Sequence, residues 1–380
     1  MEEFVDKELL AGAISVVLKD NKVVDKKTWG YADTDSQSAI RDNTIFRIYS
    51  NTKIITSVAA MCLYEDGKFD LEDPLEKHLP QFEDFKVLKT GATDPTETED
   101  IQSIPTVKQV MSHQAGFSYG IFSESPVDVL YMEREVSNPR STLAEMVDKL
   151  AHLPLAYQPG ARFQYSVSTD VLARLVEIWS GMSFAEFLRE KIFIPLRMVD
   201  TDFYVPEEKH GRLATNYRPT DPKDPMKPGL TAAPDVFLGS FLEPKSFNSG
   251  GAGLVSTISD YTNFIRMLVG EGEFKGVRIL KPESVSMMHT NLLQPGIQVQ
   301  LPNWFMPSTV FGIGLAIKNL PMDGEPSEAI GEFHWGGIAG THTWISPGAG
   351  IAALIFTQRL PGFCHEFSHE FKRQVYKAMT

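Results

Sequence analysis

The sequence predicts an α+β protein: an antiparallel sheet flanked by helices and built from both ends of the chain, with a mostly helical domain inserted between them. Three observations carry this. Strand-like runs open the chain and recur near its end; the stretch from Pro74 to about Pro244 carries helical apolar spacings; and the last strand-like runs are joined by connections too short for parallel crossovers. The expected division is residues 1–75 with 245–380 for the sheet domain and 76–244 for the insertion.

Taken in order, Ala13 to Leu18 and Lys22 to Gly30 are β-branched-rich runs joined across Asp20-Asn21, the pattern of an opening hairpin. A helix follows, with Ile54, Val58, Met61 and Cys62 on one face and Gly67 as its stop. Within the insertion, Leu172, Leu175, Val176 and Trp179 mark a helix that begins near Thr169. The acidic stretch from Asp94 to Asp100 and the proline-studded one from Pro219 to Pro228 are expected as surface excursions. Beyond Gly250-Gly251 one more helix is expected over Asp260 to Leu268, then strands at Phe311 to Ile317, Glu332 to Ile338, Thr341 to Ile345 and Ile351 to Thr357. The segment from His365 to Ala378 is expected as a helix covering that sheet, and no internal repeat is evident.

Composition narrows the class of function. Apolar residues are 42% of the 380, charged ones 22%, a balance that excludes a disordered or coiled-coil chain. Thirty-six basic against forty-nine acidic side chains leave a net charge of −13, which argues against nucleic acid as a partner. Cys62 and Cys364 are too few for a disulfide framework, so redox chemistry is not expected. The start, Met1 to Asp6, has no secretory pattern and no apolar run reaches membrane-spanning length, so a cytoplasmic location with no membrane partner is expected.

Five stretches bear chemistry. Ser50-Asn51-Thr52-Lys53 stands at the entry of the first helix, and an offset of three puts an amine beside a hydroxyl that is otherwise a weak nucleophile. Alone, it reads more readily as an N-cap serine followed by a surface lysine. Gly116-Phe117-Ser118-Tyr119-Gly120 spells a nucleophile elbow, but that turn needs a buried strand before it, and Thr106 to His113 reads as a helix; a glycine loop is the better reading. His365-Glu366-Phe367-Ser368-His369 spells a zinc signature, but the only His, Asp or Glu after it is Glu370, directly beside His369, so a third ligand at the usual downstream spacing is missing; a solvated helix face is expected and no metal. Tyr165, just ahead of its helix, is either a core tyrosine or a hydroxyl offered to a cleft. Finally, His334 to Thr341 carries paired glycines in a strand, which marks either a bend or a close approach of ligand to backbone N–H groups.

In that order and spacing, Ser50-x-x-Lys53, Tyr165 and the glycine-rich strand at 334–341 resemble the three motifs of the serine β-lactamase and penicillin-binding-protein superfamily. The chain most resembles its family VIII carboxylesterases, over nearly the whole length, including Phe46 to Ser50, Asp70 to Pro74, Tyr165 to Asp170 and His334 to Gly337. The resemblance implies a β-lactamase/transpeptidase-like fold and no cofactor. It implies Ser50 as nucleophile, Lys53 as its activating partner and Tyr165 as proton shuttle. The backbone N–H groups of Ser50 and Ile338 would form the oxyanion hole, and Trp335, Gly336 and Gly337 would lie along the substrate. On that resemblance Lys53 and Tyr165 are treated as one coupled acid–base unit.

Two departures separate the chain from class C β-lactamases, which place a lysine where Trp335 stands and an asparagine where Val167 stands. Both losses disfavour penicillins and suit an uncharged small-molecule ester with a short acyl chain or an aromatic alcohol. The resemblance therefore implies a serine carboxylesterase with weak β-lactam hydrolysis at most. Its competitors are an acyltransferase of the same fold, a β-lactamase or D-amino-acid peptidase, and a non-catalytic sensor or binding module.

Overall fold

The opening hairpin turns at Asp20 and Asn21, whose φ angles of 48° and 59° are both positive, as the tightest hairpin turn requires. It joins β1 (Gly12–Lys19) to β2 (Lys22–Asp33). The molecule is described from a computed structural model that covers residues 1–122, 125–235, 238–301, 306–362 and 366–380. A short β3 (Ser38–Ala39) follows β2, and the far end of the chain adds β4 (Thr309–Phe311), β5 (Ala316–Lys318), β6 (Phe333–Gly337), β7 (Thr341–Ser346) and β8 (Ile351–Phe356). Among the described residues these form one antiparallel sheet in the order β4-β5-β6-β7-β8-β1-β2-β3. The chain ends meet at its centre, where Val16 of β1 lies opposite Leu354 of β8.

Both faces of the sheet are covered, which is why its central strands read as unbroken apolar runs instead of alternating ones. Ile14, Val16, Leu18, Leu354 and Phe356 face the main core. That core also holds α1 (Thr52–Glu65) and α4 (Ile258–Val269), and on the insertion side α2 (Val107–Met111) and α3 (Ser168–Ser180). Ala13, Val17, Ala353 and Ile355 face the other way, against Phe367, Phe371, Val375 and Tyr376 of α5 (Phe367–Met379). Helix α1 is buried almost all round, from Thr52 to Leu63, so its apolar stripe is wider than the face read from the sequence, and Cys62 is only half-buried. Among the described residues no helix is long and apolar enough to cross a membrane.

Two expectations need correction, and a third gains detail. Phe311 to Ile317 is not one strand: the chain reverses between β4 and β5 at Gly314, whose φ is +71° and where a Cβ would collide with Ser57 Oγ of α1. A further helix, Pro282–Met288, lies between α4 and β4; its signal was Pro282 at the first helical position with Glu283 beside it. The two irregular stretches of the insertion are hairpins, Lys86–Leu88 pairing with Thr98–Asp100 and Tyr217–Pro219 with Leu230–Ala232. Their polar turns hid the short flanking strands.

Asp73 ties the entry of the insertion to its principal helix. Its carboxylate accepts from Lys77 Nζ at 2.6 Å and from the Asp70 N–H at 3.0 Å, and lies 3.0 Å from His78 Nε2. His78 Nδ1 in turn accepts from the Trp179 indole of α3 at 3.1 Å. Burial works to raise the Asp73 pKa, but the bonds from Lys77, Asp70 and His78 outweigh it and hold it at about 2. A carboxylate depressed on folding contributes stability that is complete above its unfolded pKa and is lost as pH falls through the folded one. Asp73→Asn should therefore lower stability by about 2 kcal/mol at neutral pH, the worth of a hydrogen bond to a charged group. In urea melts the gap between the variant and wild type should close between about pH 4 and pH 2. A gap independent of pH would show that the carboxylate charge is not what holds this corner.

Candidate active site

Ser50 sits in a 3-10 turn, Tyr49–Asn51, that leads straight into α1. The turn is strained at Tyr49, whose φ of 41° places a bulky residue in the left-handed region at a cost of about 1–2 kcal/mol. Bonds from several sides hold it there. Asn51 Nδ2 donates to Thr341 O at 2.8 Å, Asn51 Oδ1 accepts from Thr343 Oγ1 at 3.2 Å, and Thr341 Oγ1 donates to Ile48 O at 3.1 Å. Tyr261 Oη of α4 donates to Asn51 O at 2.9 Å. The Tyr49 hydroxyl accepts from Asn216 Nδ2 at 3.1 Å, and its ring meets Phe241 edge-on. The serine is thus presented by a turn clamped to β7, not by a free loop.

Gly336 and Ile338 face the cavity beside Ser50, whereas Gly337 between them faces Ile48. A Cβ on Gly337 would collide with Ile48 O and Thr341 Oγ1, so this glycine allows β6 to close against the serine turn and does not itself line the cavity. The paired glycines therefore serve close approach of backbone to backbone as well as to a ligand.

Lys53 lies wholly buried one turn after Ser50. Its Nζ donates to Gly251 O at 2.7 Å and stands 4.5 Å from the centre of the Tyr165 ring and 5.4 Å from that of Tyr119. The Trp335 indole N–H donates to Tyr165 Oη at 3.3 Å, and Tyr119 stacks on Tyr165 at 5.5 Å. Asp170 of α3 completes the surroundings, accepting from Ser249 Oγ at 2.6 Å and from the Gly251 N–H at 3.0 Å. Burial pushes its carboxyl pKa up, and the Lys53 charge with these bonds only partly offsets that. Burial, then the charges of Tyr165 and Asp170, raises the Tyr119 phenol well above its usual range. Burial and the nearby Lys53 hold His113 well below its usual range, as a neutral imidazole.

These groups open on a cavity of about 770 Å³ lined by Tyr49, Ser50, Tyr119, Tyr165, Trp335 and Ile338, and also by Ile121, Met132, Arg140, Leu238 and Leu301. The structure thus brings Ser50, Lys53, Tyr165, Trp335, Gly336 and Ile338 to one place from three separate stretches of chain. Tyr119, Asp170 and Gly251 escaped the sequence reading. Tyr119 stands next to Ser118 in the glycine loop, Asp170 closes the Tyr165 stretch, and Gly251 belongs to the glycine pair noted only as a boundary.

Ser118 is buried; its hydroxyl donates to the Asp128 carboxylate and accepts from Gln164 Nε2 at 2.9 Å. It follows α2 and not a strand, so it is a link within the loop. Val167 is fully buried at the start of α3, its N–H donating to Ser118 O at 3.1 Å, and it does not line the cavity. His365 of the zinc-like signature lies outside the described residues, as does Cys364; His369 is on α5, and among the described residues no group of His, Cys, Asp or Glu is arranged to hold a metal ion.

Comparison with known proteins agrees with this architecture. Protein Rv1367c of Mycobacterium tuberculosis is 32% identical over 369 residues, covering 95% of this chain and 89% of that protein. Esterase EstB of Burkholderia gladioli is 25% identical, covering 92% and 86%. Among solved structures, EstCE1, described as a hydrolase with promiscuous acyltransferase activity, superposes with a TM-score of 0.82 over 98% of this chain and 96% of its own at 23% identity, which establishes a common β-lactamase/transpeptidase-like fold. The Beta-lactamase family profile matches residues 1–377. With its fold, its serine turn and nearly its whole length accounted for in this way, the chain belongs to the Beta-lactamase family.

Proposed function

We propose that this protein is a serine carboxylesterase that works through an acyl-enzyme on Ser50. The observation that carries the reading is the buried Lys53 ammonium, one turn from Ser50 and against the face of Tyr165, whose hydroxyl is met by the Trp335 indole. Ser50 Oγ attacks the ester carbonyl while its proton passes to the oxygen of Tyr165, which acts in this step as a phenolate paired with the Lys53 ammonium, and the N–H groups of Ser50 and Ile338 receive the developing oxyanion. The C–O bond to the alcohol breaks, and that alcohol leaves with the proton from Tyr165. Water, deprotonated by the same unit, then cleaves the acyl–serine bond and releases the acid.

The cavity walls favour an uncharged substrate. Trp335, Tyr119, Phe122, Leu238 and Leu301 are apolar or aromatic, and about 770 Å³ is ample for a short acyl group joined to an aromatic alcohol. EstB is named an esterase, which supports the same reading. EstCE1's description as a hydrolase with acyltransferase activity favours one further reading, in which an alcohol replaces water at the second step. Trp335 in place of a cation, with Val167 buried away from the cavity, weighs against a β-lactam carboxylate as the preferred ligand.

Steady-state hydrolysis of a p-nitrophenyl ester series beside a chromogenic cephalosporin tests the reading. Short-chain turnover should fall by about 10³-fold or more in Ser50→Ala and persist in Ser118→Ala. A loss confined to Ser118→Ala would put the nucleophile elsewhere. Trp335→Phe, which keeps the aromatic wall but removes the N–H offered to Tyr165, should cut kcat by about 3–10-fold with little change in KM. An unaltered kcat would mean that this N–H does not act on the phenol. Adding a primary alcohol at rising concentration measures the partition between transfer and hydrolysis; ester product that outpaces free acid would move the assignment to an acyltransferase.

A further inference from the structure

His113 joins three features that packing alone leaves unexplained. Its backbone φ is +57°, a left-handed conformation uncommon for a side chain of this size. Its ring is 1% exposed and caged by Tyr165, Phe311 and Phe163, with ring centres 4.9, 5.4 and 5.8 Å away. And its Nε2 is buried with no hydrogen-bond partner among the described residues. A leucine would fill the same cage without an orphaned donor, and a glycine would take the same backbone without strain.

The bonds on its other side supply the reason. His113 O accepts the Gln164 N–H at 3.0 Å and the Tyr157 hydroxyl at 3.0 Å. His113 Nδ1 accepts the Ser166 N–H at 3.3 Å and lies 3.1 Å from Ser166 Oγ. Because a backbone N–H can only donate, Nδ1 is the acceptor, and the ring proton sits on Nε2, inside the cage. Gln164 and Ser166 are the two neighbours of Tyr165. One residue therefore grips the peptide on both sides of that tyrosine while its ring forms the wall behind the phenol.

We propose that His113 is a positioning residue for Tyr165: through its carbonyl and its ring Nδ1 it fixes residues 164–166, so that the phenol stays at the Trp335 N–H and over the Lys53 ammonium. This rests on the reading that Tyr165 relays the proton. The left-handed backbone turns the carbonyl and the ring of one residue toward the same short segment, and the unpaired Nε2 is the cost of presenting an acceptor from inside an apolar cage. His113 does not line the cavity, so it acts on the reaction only through Tyr165.

The test uses the full chain with p-nitrophenyl butyrate, kcat and KM measured separately, and thermal melts as a folding check. His113→Leu fills the cage but removes the acceptor, and kcat should drop by about tenfold or more with KM within about twofold. His113→Asn keeps an acceptor at the Nδ1 position and tolerates the left-handed backbone, so it should recover kcat to within about threefold of wild type. In Tyr165→Phe the relay is gone, and adding His113→Leu to it should cost almost nothing more, since both changes act through one phenol. Wild-type kcat in His113→Leu, or losses that multiply in the double variant, would overturn the proposal. Should His113→Leu not fold, His113→Gln, which moves the acceptor by one methylene, should show the same kcat-selective loss, and its absence would count equally against the idea. Full activity of Tyr165→Phe would instead remove the relay reading itself, and this inference with it.

Discussion

The ammonium of Lys53 is wholly buried, and a charge in that position persists only if its surroundings replace the water it has lost. Three segments distant in sequence meet that demand together. Gly251 supplies a carbonyl oxygen, Tyr165 and Tyr119 turn their ring faces toward the charge, and the Asp170 carboxylate lies behind Gly251. The insertion must consequently close on α1 from one side while the 249–251 segment closes from another. The cleft is what remains open where they meet. A helix recognised in the sequence by one apolar face thus becomes the central one.

Strain and rigidity are distributed around that charge in a consistent way. Tyr49 and His113 hold left-handed backbones, the first beside Ser50 and the second against the ring of Tyr165, and each is over-determined by hydrogen bonds to a different part of the fold. Tyr49 sits where the chain must turn Ser50 toward the cavity, against β6 and β7. Strain of this kind survives only where the surrounding structure holds it, and both instances flank a reacting group of the proposed mechanism.

The sheet that backs the serine turn is itself anchored from behind. Glu332, the residue just before β6, is fully buried and accepts from Tyr376 Oη at 2.7 Å and Lys372 Nζ at 2.5 Å, both on α5, with Lys318 of β5 at 3.5 Å. Burial would raise its pKa, but Lys372 and Lys318 outweigh that and lower it, so the carboxylate stays ionised. This network fixes the C-terminal helix to the strand that carries Trp335, three residues along, and so links the end of the chain to the wall of the cleft.

Much of this was legible from the sequence, for physical reasons that differ by element. The hairpin at Asp20-Asn21, the helix after Ser50 and the runs that became β6 to β8 declare themselves through local chemistry: turn residues that accept positive φ, helical spacing, and strands whose connections are too short to cross over. The order of Ser50, Lys53, Tyr165 and the glycine pair was readable for the same reason, since residue types and spacings are one-dimensional. The reversal at Gly314 was not, because it answers to Ser57 on a helix some 250 residues away in the chain. Nor were Tyr119, Asp170, Gly251 or His113, each of which acquires its role only from a neighbour that the fold brings to it. Sequence alone determined which groups could take part in the chemistry; tertiary structure decided which of them share a buried charge, because desolvation and hydrogen bonding depend on distance in space and not on distance along the chain.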